Sequence, residues 1–195
     1  MKFDPDRHHR RSIRLPGYDY TRAGAYFITI CTYQRACMLG AIQDGVIALS
    51  PSGQIVEQCW RNLPSHFMCI ELDAFVVMPN HLHAIIIITE SDHSKGELST
   101  QQPVVSSRQG PETVSPRSLS LPNGTQSGSL SAIIQNFKSV STRKINQALQ
   151  NRGVTVWQRS YYERIIRDEA ALNNIRRYIE TNPARWADDE EHRND

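Results

Sequence analysis

The chain lacks most of the features that would send it to a secreted, membrane or disulfide-built class. Its four cysteines, Cys31, Cys37, Cys59 and Cys69, form no Cys-x-x-Cys pair, so reduced thiols in a cytoplasmic protein are expected rather than a disulfide framework or a thiolate metal site. The longest uninterrupted apolar run is about Ala84 to Ile88, far short of the roughly 20 residues a membrane-spanning helix needs. Met1-Lys2-Phe3-Asp4-Pro5 carries no hydrophobic signal segment, so secretion is not expected. No aromatic residue occurs between Glu90 and Ser129, where ten serines and four prolines fall instead. Such a stretch cannot bury enough surface to offset the entropy of ordering, and a long disordered insertion is expected there. Strong charge of one sign is also missing, since the net charge is +2.

That small net charge is unevenly spread. Residues 1–14 carry Lys2, Arg7, Arg10, Arg11 and Arg14 against Asp4 and Asp6, whereas the stretch from Ala187 to Asp195 carries five acids and one arginine. Arg164, Arg167, Arg176 and Arg177 cluster around Tyr178. A polyanionic partner fits this pattern. The length of 195 residues suits one domain, read as a basic arm over 1–24, one domain over 25–186 interrupted by the insertion at 90–129, and an acidic tail over 187–195.

Within the domain, Ala25 to Thr32 is aromatic and β-branched and predicts a strand. Met38 to Leu49 predicts one or two short strands around the turn dipeptide Asp44-Gly45. Ser50-Pro51 predicts a helix N-terminus. The helix runs to about Leu63, with Ile55, Cys59 and Asn62-Leu63 inward. Glu71 to Met78 and His81 to Thr89 predict two antiparallel strands joined by a tight turn at Pro79-Asn80. A helix from Leu130 to about Gln150 buries Leu130, Ile133, Ile134, Phe137 and Ile145. Short extended pieces follow at Val154–Trp157 and Tyr161–Ile166. Asp168 then caps a helix with Leu172, Ile175 and Ile179 inward, ending near Pro183. Strands backed by helices on one face give an α+β, ferredoxin-like sandwich built on an antiparallel sheet.

Two pairs of residues carry chemistry. On a strand, i and i+2 share a face, so His81 and His83 point the same way and their ring nitrogens can reach one ion. Two ordinary histidines, one hydrogen-bonded in the core and one wet, are the plainer alternative. On a helix, i and i+4 are neighbours, so Tyr178 and Asn182 present a phenol and an amide to one point. A half-packed tyrosine and a helix-closing asparagine are the plainer alternative here. Proline at 183 biases Asn182 away from helical backbone, which leaves its reach open.

Together these groups have the makings of metal-assisted phosphodiester cleavage through a tyrosine ester. A phenol of pKa about 10 is about a thousandfold short of phenolate at neutral pH, so a divalent ion on the phosphate has a clear task. Two imidazoles and one amide oxygen leave positions open for phosphate oxygens, and imidazole also suits zinc and other transition metals. Tyr161 and Tyr162 are rival nucleophiles. Trp157 and Trp186 read as core or lid aromatics, with base stacking as the alternative.

The chain resembles the single-tyrosine HUH transposases and, more narrowly, the REP-associated tyrosine transposases of the transposase IS200-like family. The resemblance rests on Arg11-Ser12-Ile13-Arg14-Leu15-Pro16-Gly17-Tyr18-Asp19-Tyr20, the strand at Ala25–Thr32, and Met78-Pro79-Asn80-His81-Leu82-His83. It continues through Phe137-Lys138-Ser139, Val156-Trp157-Gln158-Arg159, Tyr161-Tyr162-Glu163, Tyr178-Ile179, Asn182-Pro183 and Trp186. It implies His81 and His83 as metal ligands, Asn182 as the third, and Tyr178 as nucleophile. It further implies Mg2+ or Mn2+, single-stranded DNA beside imperfect palindromic hairpins as substrate, and a 5′-phosphotyrosine intermediate with a free 3′-hydroxyl. A cytoplasmic, nucleoid-associated enzyme follows. Arg10, Arg11, Arg14, Lys138, Arg143 and Lys144 are candidates for phosphate contacts on charge alone. A catalytically silent hairpin-binding protein of the same fold is the competing reading, and a replication initiator or relaxase with the same chemistry is a third. The site is expected either within one chain or shared across a homodimer.

Overall fold

The computed structural model describes residues 22–89, 128–151 and 153–188. The expectations placed on the basic arm, the serine-rich insertion and the acidic tail therefore lie outside the described residues, apart from a few residues at their edges.

Strand β1 (Gly24–Cys31) opens the fold, and the hairpin β2 (Gly40–Gln43) and β3 (Val46–Leu49) follows it. Asp44 and Gly45 join the hairpin with φ of 51° and 75°, the left-handed pair a two-residue turn needs to match strand twist. Helix α1 (Pro51–Arg61) starts with Ser50 as N-cap, its hydroxyl accepting the Gly53 N–H at 3.1 Å. Gly53 itself packs so close that a Cβ there would stand 1.9 Å from the Leu39 carbonyl oxygen, which fixes α1 against the chain entering the hairpin.

Strands β4 (Ile70–Val77) and β5 (His81–Ile88) are joined at Pro79-Asn80 as expected. Helix α2 (Leu130–Ala148) then leads to β6 (Tyr162–Ile166) and α3 (Glu169–Thr181). The main sheet runs β4-β5-β1-β6, antiparallel at every step. Passing over one strand on each crossover, through α1 and through α2, gives the order of the ferredoxin-like sandwich anticipated from the sequence.

The pleat divides the side chains between two faces. Tyr26, Ile28 and Ile30 of β1 and Leu82, Ala84 and Ile86 of β5 join the buried stripes of α1 and α2 in the larger core. Phe27, Ile85 and Ile166 form a smaller cluster with Ile179 of α3 on the other side. Helices thus cover both faces, whereas the sequence pattern predicts them on one. The reason is visible in β5, whose eight residues are all buried or half-buried, a pattern that requires cover on each side.

On α1 the inward residues also differ from expectation. Val56, Cys59 and Trp60 are buried, Ile55 is only half-buried, and Asn62 is an exposed C-cap. Trp60 rotates the helix inward because its ring fits edge-on against Phe137, at 5.1 Å between centroids.

Candidate active site on the second face

The antiparallel register sets Thr29 opposite His83 and Cys31 opposite His81. Both imidazoles therefore lie on the α3 side of the sheet, with ring centroids 4.3 Å apart. Each ring is oriented through Nδ1. Thr29 Oγ1 is 2.8 Å from Nδ1 of His83, and Asn80 Oδ1 is 2.8 Å from Nδ1 of His81. With the amide oxygen accepting, His81 carries its proton on Nδ1 and its lone pair on Nε2, the arrangement that suits a metal-binding imidazole.

The turn that holds Asn80 is itself pinned. Its carbonyl accepts from both the amide and the hydroxyl of Thr32, at 2.8 and 2.9 Å. Burial pushes the His81 imidazolium pKa down to about 3, with the Arg35 charge adding to the effect. His81 is therefore neutral, and competent as a ligand, throughout the neutral range.

Helix α3 brings Tyr178 over this pair. Its hydroxyl lies 3.1 Å from Nε2 of His83, and the rings are 5.1 Å apart. Phe27 fixes both, stacking on His83 at 5.4 Å and meeting Tyr178 edge-on at 6.1 Å. Trp186, in the 3₁₀ segment Pro183–Asp188, lies 6.0 Å from the ring of His81. All of these residues belong to one chain, so the imidazoles and the phenol meet without a second copy.

Asn182 sits one turn beyond Tyr178 and is buried. Its φ and ψ of −57° and −43° keep it helical. The proline bias does not unwind it, because Pro183 opens the next 3₁₀ turn, where a missing N–H costs nothing. Among the described residues no three His, Cys, Asp or Glu side chains are grouped for a metal.

Several residues to which the sequence assigns no role in the site support this geometry. Thr29 and Asn80 are two. A third device ties α3 to the sheet: Arg176 pairs through Nε and Nη2 with both carboxylate oxygens of Asp73. Asp73 stands where the β4–β5 register shifts between Leu72 and Phe75. The guanidinium holds the Asp73 carboxyl below the usual carboxylate range.

The rival tyrosines fall elsewhere. Tyr162 shares the face but packs edge-on to Phe27 at 6.3 Å, while the Tyr161 ring faces the Lys138 ammonium at 5.3 Å. Of the basic candidates, Arg10, Arg11 and Arg14 lie outside the described residues. Lys138 differs from expectation. Its ammonium donates to the carbonyls of Gln158 and Ser160 at 3.1 and 2.9 Å, so it closes a loop instead of reaching outward, and burial lowers its pKa to about 8. Arg143 and Lys144 are exposed on α2.

Comparisons with known proteins bear on the fold and on the second half of the chain. The sequence pattern of the transposase IS200-like family matches residues 122–182, a span containing α2, β6, α3, Tyr178 and Asn182. That span carries the match to the family's domain. An uncharacterized protein of Haemophilus influenzae is 40% identical over 190 residues, covering 97% of this chain and 96% of its relative. The structure of a REP-associated tyrosine transposase bound to a REP hairpin shares the fold, with a TM-score of 0.54 at 17% identity over 89% of this chain and 74% of that one. No helix among the described residues is long and apolar enough to cross a membrane.

Proposed function

We propose that this transposase nicks and rejoins single-stranded DNA beside palindromic, REP-like hairpins, with Tyr178 as nucleophile. The observation that carries the reading is the 3.1 Å approach of the Tyr178 hydroxyl to His83 Nε2 within one chain. In the forward step Tyr178 Oη forms an ester with the scissile phosphorus and gives up its proton, while the 3′-oxygen leaves as a hydroxyl. The phosphate stays on the tyrosine at its 5′ side, so a 3′-hydroxyl attacking that ester reverses the step and rejoins a strand.

His81, His83 and Asn182 would hold a divalent ion, Mg2+ or Mn2+, whose contribution is to polarise the non-bridging phosphate oxygens. Both imidazoles share a face and both are oriented at Nδ1, which supports their part in such a site. The remaining side chains position these groups. Phe27 sets the planes of the His83 and Tyr178 rings, Trp186 lies against His81, and the Asp73–Arg176 pair holds the nucleophile's helix on its own sheet. Residues 25–186 act as one catalytic domain, and a DNA substrate places its work in the cytoplasm at the nucleoid.

The test is covalent capture. Hairpin-bearing single strands incubated with the protein and Mn2+ or Mg2+ should give a denaturation-resistant protein–DNA adduct. Chelation and Tyr178→Phe should each abolish it, and Tyr162→Phe should not. An adduct that survives in Tyr178→Phe overturns the assignment. A wild-type protein that binds hairpins yet gives no adduct with any divalent ion would be the catalytically silent binder.

A further inference from the structure

We infer that a trough along α2, outside the catalytic site, cradles one sugar–phosphate strand of a paired DNA stem. The inference rests on the proposed DNA substrate and adds the surface that grips it. Two cavities of about 500 and 490 Å³ adjoin on the outer side of α2. They share Arg143, Asn146 and Gly153 as walls, which makes them one continuous depression. It follows α2 from Lys138 to Gln150, a length of roughly 18 Å at about 1.5 Å per residue. That accommodates roughly five phosphates of a duplex strand, at about 3.4 Å of axis each.

The lining has the chemistry of a backbone cradle. No acidic side chain contributes to either wall. Arg143 and Arg159 supply exposed positive charge, and neither makes an ion pair among the described residues. Ser139, Thr142 and Thr155 add hydroxyl donors. Lys138 fixes one wall from within by its bonds to the carbonyls of residues 158–160.

What the trough does not offer decides between a stem and a single strand. Grooves for single strands stack bases on aromatic rings. The one aromatic here, Trp157, is 5% exposed and gives its indole N–H to Ser141 at 2.9 Å. Its ring is part of the core and not a platform. Phosphate contacts without stacking suit a strand whose bases are already paired.

The test uses the full chain and two labelled oligonucleotides: a hairpin with a paired stem of about one helical turn, roughly 10 base pairs, and an unstructured strand of equal length. Binding is followed by fluorescence anisotropy across a salt series. Arg143→Glu combined with Arg159→Glu should weaken hairpin binding about tenfold or more and flatten the salt slope by about 2, roughly one unit for each phosphate that is no longer neutralised. Arg61→Gln, on α1 and outside both walls, should change affinity less than about twofold. The wild-type chain should give the Tyr178 adduct with the same hairpin.

Equal losses in the double variant and in Arg61→Gln would overturn the trough, as would an unchanged slope or a greater loss for the unstructured strand. Normal adduct formation alongside any of those results leaves the nicking reading standing. The expected binding losses without any wild-type adduct would sustain the trough and remove the nicking chemistry.

Discussion

Replacing Tyr178 with phenylalanine should tighten metal binding even as it ends catalysis. Nε2 of His83 faces two claimants: the Tyr178 hydroxyl, at 3.1 Å, and the proposed divalent ion. Whichever tautomer His83 adopts with Thr29, Nε2 is engaged by the phenol, and that bond must open before the nitrogen can ligate. A neutral hydrogen bond contributes about 0.5–1.5 kcal/mol net. Tyr178 is 40% exposed, so water competes for its hydroxyl and the lower half of that range applies. At about 1.4 kcal/mol per tenfold, losing the bond should strengthen binding about 2- to 5-fold. Titration of Mn2+ into DNA-free protein, read from the free-ion paramagnetic resonance signal, measures this directly. Tyr162→Phe provides the control, since that ring touches Phe27 and is expected to leave affinity unchanged. Unaltered binding by Tyr178→Phe would show that the phenol and the ion do not share the nitrogen. Weaker binding would make the phenol itself a ligand, and either result refutes the reasoning.

Other consequences can be checked with single variants. Thr29→Val keeps its shape but removes the partner of His83 Nδ1, and should cost about 10- to 100-fold in Mn2+ affinity, the usual penalty for losing an outer-shell partner. Ser141→Ala strands the buried indole N–H of Trp157 and should lower stability in urea by about 1–3 kcal/mol. His81 has a folded pKa of about 3 against about 6.5 when unfolded. Between those values the unfolded chain binds more protons, so metal-free stability should fall as pH drops through that window, with a slope from this group approaching about 1.4 kcal/mol per pH unit. His81→Gln should flatten the curve. Asp73→Asn removes the carboxylate that ties α3 to β4 and should speed amide hydrogen exchange in α3 while leaving β1 and β5 protected.

The sequence made the site legible wherever periodicity alone fixes direction. His81 and His83 share a face because they are two apart on a strand, and Tyr178 and Asn182 share one because they are four apart on a helix. The strand order also followed from the element sequence, since a tight β4–β5 turn and two helical crossovers leave few arrangements. Contacts that depend on register or on distant pairing were not legible. Nothing local says that Thr29 lies opposite His83, or that Arg176 reaches Asp73 across more than a hundred residues. Lys138 read as a surface cation because lysines on helices usually are, and the loop carbonyls that capture it can be seen only once the loop is folded. Trp60 displaced the expected inward stripe of α1 for a similar reason, as its burial depends on the partner ring of Phe137 in a helix far along the chain.

The two faces of the sheet divide stability from chemistry. The α1–α2 face holds the larger apolar cluster, including Trp60, Phe137 and the even-numbered residues of β1 and β5. The α3 face holds Phe27, Ile85, Ile166 and Ile179 as its fully buried apolar set, beside the buried polar side chains of Thr29, His81 and His83. Imidazoles on the larger face would displace apolar packing and lie under two helices, sealed from any polymer. On the smaller face they sit under a single helix, which supplies the phenol and is fastened by a half-exposed ion pair and a small cluster. The same alternation that makes β5 a central strand therefore turns its histidines toward the face that a single helix covers, beside the Tyr178 hydroxyl which that helix supplies.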